Sequence, residues 1–319
     1  MSESLSRALC DQLSSETTIV GSATEFLDAP RDAETVSFVD DSTIDMSSRA
    51  PSGPVIAICD KPLQTAIGWL PSHPWLSHVV SGSLLSHPIA KEHLANVTST
   101  LLSSSQPRLL DWLGPEAAGR RVRLTHANKR VDRLERMSEF FESKGVGSRT
   151  LQLLRDVAEE LLTNAFYDAP VAAGAVKHPI SRTQDVELPE EGACDLVYGC
   201  HEELALIRLR DPFGALSRAR LLQVLTRCSR TDMQVEVDET MGGAGLGLWR
   251  VFSVATYVAV SVVNNRHTEV LVGIRKRASA GARPYAFHLF FKESTRPARQ
   301  WKLLDEESSD PSLSISIEE

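Results

Sequence analysis

The chain has 319 residues, 42% hydrophobic and 24% charged, with a formal net charge of −8. That length suggests about two domains with buried cores, and the acidic balance argues against a nucleic-acid partner, because phosphate backbones are held by basic surface. No apolar run approaches the about 20 residues that span a bilayer, and residues 1–7 lack a signal-peptide pattern, so a cytoplasmic protein with no membrane partner is expected.

Residues 1–105 alternate short apolar strands with helices. Helices are expected over 5–13, 23–27, 62–70 and 89–102, and strands over 18–20, 35–39, 54–59 and 78–80, which implies a small parallel α/β domain. This order resembles a response-regulator receiver, with Asp40 or Asp41 at the strand end where such domains are phosphorylated. The resemblance is degenerate. Cys59-Asp60 and Ser81-Gly82-Ser83 stand where a receiver needs a hydroxyl and a lysine, so Asp40 and Asp41 read as strand-end and turn residues. Five scattered cysteines, at 10, 59, 194, 200 and 228, lack metal-like spacing and read as reduced thiols.

A serine-, proline- and glycine-containing linker is expected over 106–119. Beyond it, 120–124 reads as a strand and 128–144 as a helix, and Gly145 and Gly147 interrupt the chain before a second helix. His126, at the strand-to-helix turn, reads as a turn or cap residue. The second helix has apolar residues at Leu151, Leu154, Val157, Leu161 and Leu162, and Pro170 is expected to close it. Residues four apart share a helix face, so Glu160, Asn164 and Asp168 form a polar stripe bordered by apolar surface. Glu159, beside it, reads as a solvated charge.

Strand 204–209 leads into Asp211-Pro212-Phe213-Gly214, where glycine permits a tight turn. A helix over 216–227 and an acidic polar segment over 229–241 precede Gly243-Ala244-Gly245-Leu246-Gly247, a flexible run that opens a helix whose free N–H groups suit phosphate. Strands over 258–263 and 269–274 read as a hairpin about 264–268. Residues 285–291 add a strand placed at the sheet edge, its aromatics either packed there or offered to a partner. The tail, 297–319, is acidic and serine-rich with no packable stripe, which reads as disorder.

The asparagine helix, the Asp-x-x-Gly turn and the glycine segment, in that order, resemble the Bergerat-fold (GHKL) ATP-binding family of gyrase B, heat-shock protein 90, sensor histidine kinases and MutL. The match covers roughly residues 120–275. It implies an α/β two-layer sandwich over 120–296, joined to the receiver-like unit at 1–105. One strand and one helix before the asparagine helix are closest to the anti-sigma-factor serine kinases of the RsbW and SpoIIAB type. The resemblance implies a cofactor, ATP with Mg2+: Asn164 as metal ligand, Glu160 as general base, Asp168 near the phosphates, Asp211 reading adenine beside Gly214, and Gly243, Gly245, Leu246 and Gly247 covering the phosphates. It also implies phosphoryl transfer to a hydroxyl of a protein partner, an anti-anti-sigma protein, sigma factor or other regulator, with a homodimer possible. A non-catalytic ATP-gated interaction module and a degenerate histidine kinase stay open as alternatives.

Overall fold

Strands with apolar residues on both faces must be covered on both sides, and that requirement sets the layers of this molecule. A computed structural model describes residues 35–46, 53–103, 105–113, 118–201, 203–229, 246–277, 283–296 and 301. The expected helices at 5–13 and 23–27, the expected strand at 18–20, most of the 229–241 segment, and the tail apart from Trp301 lie outside the described residues.

The strands are β1 (Ser37–Asp40), β2 (Val55–Cys59), β3 (His78–Ser81), β4 (Ala118–Leu124), β5 (Cys194–His201), β6 (Leu204–Asp211), β7 (Tyr257–Val263), β8 (His267–Arg275) and β9 (Ala286–Lys292). Among the described residues they form one mixed sheet of nine strands, ordered β1-β2-β3-β9-β7-β8-β6-β5-β4. β1, β2 and β3 are mutually parallel, β7 is parallel to β9, and the other neighbours are antiparallel. The helices are α1 (Asp41–Met46), α2 (Leu63–Trp69), α3 (Gly82–Leu85), α4 (Ala90–Leu102), α5 (Arg130–Ser143), α6 (Ser148–Thr163), α7 (Ala169–Ala172), α8 (Arg218–Ser229) and α9 (Leu246–Val254).

Period-two alternation divides the core. Ala57, Val79, Ile207, Val258, Val272 and Phe287 face one layer, built mainly from α2, α5, α6, α8 and α9. Their neighbours Ile58, Val80, Leu206, Ala259, Leu271 and Ala286 face the other, covered by α3, α4 and the buried residues Leu109, Trp112 and Leu113. The protein is thus a mixed α/β molecule with helices on both faces of its sheet.

The sheet also crosses the stretch read as a linker. β3 pairs with β9, so the strands on either side of 106–119 hydrogen-bond within one sheet. Part of that stretch is bound to it: Gln106 Nε2 donates to Ser261 Oγ at 2.8 Å and to the Phe290 carbonyl at 2.9 Å. β9 corrects the expected edge strand, because it lies inside the sheet between β3 and β7, with Phe287 and Phe290 buried. Its apolar residues on both faces have the pattern of an interior strand, and its partner β3 lies too far away in sequence for periodicity to reveal.

At this seam His78 sits opposite His288 in the β3–β9 ladder, and His93 of α4 approaches His288 with their Nε2 atoms 2.9 Å apart. All three rings are buried. At the end of β1, Asp40 Oδ1 accepts hydrogen bonds from Ser42 Oγ, Thr43 Oγ1 and Thr43 N, which makes it a turn and cap residue.

Candidate functional site

The site begins with an irregularity in the asparagine helix. Pro170 has no N–H to donate, and in an α turn its ring would strike the carbonyl four residues back. The helix does not end there as expected. It widens into a π turn at Asn164–Asp168 and resumes as α7, with Pro170 buried in its first turn. π turns of this kind are frequent at functional sites. Ala165, Phe166 and Tyr167 anchor the turn in the core, and Glu160, Asn164 and Asp168 are left half-buried.

Glu160 meets the glycine segment directly. A Cβ added at Gly247, in the first turn of α9, would overlap Glu160 Oε2. The carboxylate therefore lies at a helix N-terminus, where unpaired N–H groups favour negative charge. Leu246 opens that helix, whereas Gly243 and Gly245 lie outside the described residues. Arg250, one turn further along α9, forms an ion pair with Asp156 of α6 and so clamps the two helices together.

Burial raises the Glu160 carboxyl above its ordinary range. Arg182 and Arg250 oppose the shift, and Glu159 and Asp156 reinforce it. Asp168 is pushed up to about 6, again chiefly by burial, against the pull of Arg182 and Arg220. Glu159 is engaged elsewhere, with Oε1 3.7 Å from Arg130 Nη2.

The second cluster forms at the end of β6. Asp211 is buried, and its Oδ1 accepts hydrogen bonds from Phe213 N at 2.9 Å and Gly214 N at 3.3 Å. Burial nevertheless pushes its carboxyl up to about 6. Gly214 has φ +61°, and a Cβ there would come within 2.6 Å of Arg266 N and 2.7 Å of His267 N, so only glycine passes under the β7–β8 turn. Phe213 is buried beneath Trp301, with ring centroids 4.6 Å apart.

Sequence reasoning missed four residues here. Thr268, read as part of the turn, belongs to β8 and lies directly across from Asp211 in the ladder, where its buried hydroxyl and backbone hydrogen-bond towards the Asp211 carboxyl and oppose its upward shift. Strand register alone would have found it. Arg182, Arg220 and Arg250 reach the carboxylates from a loop, α8 and α9, and no local pattern marks them. His126 stands at its expected turn, in an isolated bridge to Glu187 with Nε2 3.3 Å from Glu187 Oε1.

Both clusters belong to elements on the same face of the sheet. One end offers carboxylates, an amide and arginines around a helix N-terminus. The other offers a buried carboxylate beside the buried hydroxyl of Thr268. Among the described residues, no group of three or more His, Cys, Asp or Glu is arranged to hold a metal, and no helix is long and apolar enough to cross a membrane. Comparison with known proteins found no matching family model and no matching curated sequence.

Proposed function

We propose that this chain binds Mg-ATP between α6 and α9 and transfers the γ-phosphate to a hydroxyl of a protein partner. The observation that carries the reading is the contact of Glu160 with Gly247, which unites the acid of the asparagine helix with the glycine segment at a helix N-terminus. The fold this implies is a Bergerat-type ATP-binding unit over residues 120–296 with a degenerate receiver-like unit before it, sharing its sheet.

The residues present fit the nucleotide. Asp211, buried at the end of β6 with the Thr268 hydroxyl beside it, would accept from an adenine amino group. Gly247, without a Cβ, lets the Glu160 carboxylate lie against the first turn of α9, whose free N–H groups suit phosphate. The half-buried Asn164 amide can ligate a hard cation, and magnesium, which keeps several waters and takes phosphate oxygens, needs no dense protein cage.

When bound, magnesium would neutralise charge on the phosphates during transfer. The protein's own part is to orient and to accept a proton. Glu160, its carboxyl raised by burial, stands against the phosphate-binding turn as general base for an incoming hydroxyl. A partner of the anti-anti-sigma class, in a cytoplasmic regulatory pathway, suits hydroxyl chemistry.

The test uses γ-labelled ATP with wild type and Glu160→Gln, each added to extract of the source organism. Wild type should produce an acid-stable labelled band, and the variant should lose about a hundredfold in transfer rate while still binding ATP. Equal labelling by both would remove Glu160 as base. If both bind ATP and neither labels anything, the protein is an ATP-gated binding module; acid-labile label on the protein itself would make it a histidine kinase.

A further inference from the structure

Arg130 breaks two local rules at once. It opens α5, where a cation opposes the helix dipole, and its side chain is only 13% exposed. That burial is poorly compensated. Nη2 stands 3.7 Å from Glu159 Oε1, and Nε and Nη1, like Glu159 Oε2, are buried with no hydrogen-bond partner among the described residues. So loose an ion pair adds little to stability, because desolvation offsets the attraction. What the guanidinium does have is a particular place: its Cζ lies 4.8 Å from the centroid of the Tyr167 ring, which is buried in the π turn.

Arg130 thus touches the asparagine helix on both sides of Asn164, at Glu159 before it and at Tyr167 after it. Tyr167 is held at its other end as well, where its hydroxyl donates to the Gln184 carbonyl at 2.8 Å. A π turn is a rare form of helix and persists where the surroundings hold it. We infer that Arg130 is a positioning residue of this site: by bracing Glu159 and Tyr167 it fixes the π turn, and with it the place of the Asn164 amide that would ligate magnesium. Arg130 acts through the turn and not on the ligand. The inference rests on the nucleotide reading above, and it accounts for a buried cation that packing alone would not favour.

ATP affinity of the full-length chain, measured calorimetrically with magnesium and again with EDTA, tests it, together with the melting temperature of the unliganded protein. In wild type magnesium should tighten ATP. Arg130→Met, which keeps much of the stem and removes the charge, should reduce that tightening about tenfold, as loss of an outer-shell partner does at metal sites, and leave affinity in EDTA within about twofold of wild type. Its melting temperature should hold or rise, since methionine needs no counter-ion. Glu159→Gln, which removes the other end of the brace, should act in the same direction and add no further loss when combined with Arg130→Met. If Arg130→Met keeps the wild-type response to magnesium, or the two losses simply add, the inference falls while the nucleotide reading stands. A lowered melting temperature with ATP weakened equally in magnesium and in EDTA would make the role of Arg130 structural and also overturn it. A wild type that binds ATP with no response to magnesium would remove Asn164 as ligand, and the inference with it. If wild type binds no ATP, the nucleotide reading itself falls and takes this assignment with it.

Discussion

Strand β6 carries buried charge on both of its faces and treats it in opposite ways. On one face Arg208, 4% exposed, donates to Glu269 Oε1 at 2.5 Å and to Asp195 Oδ2 at 2.7 Å, and Asp195 in turn accepts from Arg121 at 2.7 Å. Two cations and two anions close on one another across β4, β5, β6 and β8. On the other face Asp211, 7% exposed, has the backbone N–H groups of Phe213 and Gly214 as donors, and burial drives its carboxyl up to about 6. The first cluster is complete without a ligand. Among the described residues the second has no cation within it: hydrogen bonds from Phe213, Gly214 and Thr268 only partly offset the burial that raises its carboxyl. Buried charge without a counter-ion is the pattern that a ligand site would need, and buried charge closed in ion pairs is not.

The largest effect should come from opening the complete cluster. Arg208→Ala leaves Glu269 buried without its cation and should cost about 3–5 kcal/mol of unfolding free energy in urea titration, with ATP affinity of the folded protein unchanged. A loss below about 1 kcal/mol would show that the cluster is not structural. At the incomplete cluster the pattern should reverse. Asp211→Asn should weaken ATP by about tenfold or more, because an acceptor for the base is replaced by a donor, while stability at neutral pH is kept or raised. Equal loss of stability at the two positions would erase the distinction.

The smallest effect is on pH dependence, where the seam and the site pull in opposite directions. Burial holds His78 down to about 3 and His93 to about 4, and lowers His288 further with help from its two neighbours. Their stability contribution is present above about pH 6.5 and is lost as pH falls from there towards 4. Asp211, raised above the 3.8 of a free aspartate, does the opposite: its contribution is lost as pH rises through about 6. Acid should therefore destabilise wild type between pH 6.5 and 4, and Asp211→Asn, which lacks the opposing carboxyl, should fall more steeply. Urea midpoints across that range would show it, and parallel curves would refute the assignment.

Local pattern was enough to place most elements. The period-two run of β6, the apolar stripe of α6 and the glycine at 214 were legible because they depend on near neighbours. Residues that act across the sheet were not legible. Thr268 matters only through its register with Asp211, and Arg182 only because Tyr167 pins a loop that has no periodicity of its own. Even Pro170 misled, since its effect on a helix depends on whether the core can hold a widened turn.

By itself the sequence determined the α/β class, the order of the motifs and the helix on which Glu160 and Asn164 stand, because those follow from residue type and spacing along the chain. Tertiary structure alone decided that β9 runs through the interior and joins both halves in one sheet, that Gly247 lies against Glu160, and which arginines surround the acids. Those facts depend on contacts between residues far apart in sequence, which no local periodicity encodes.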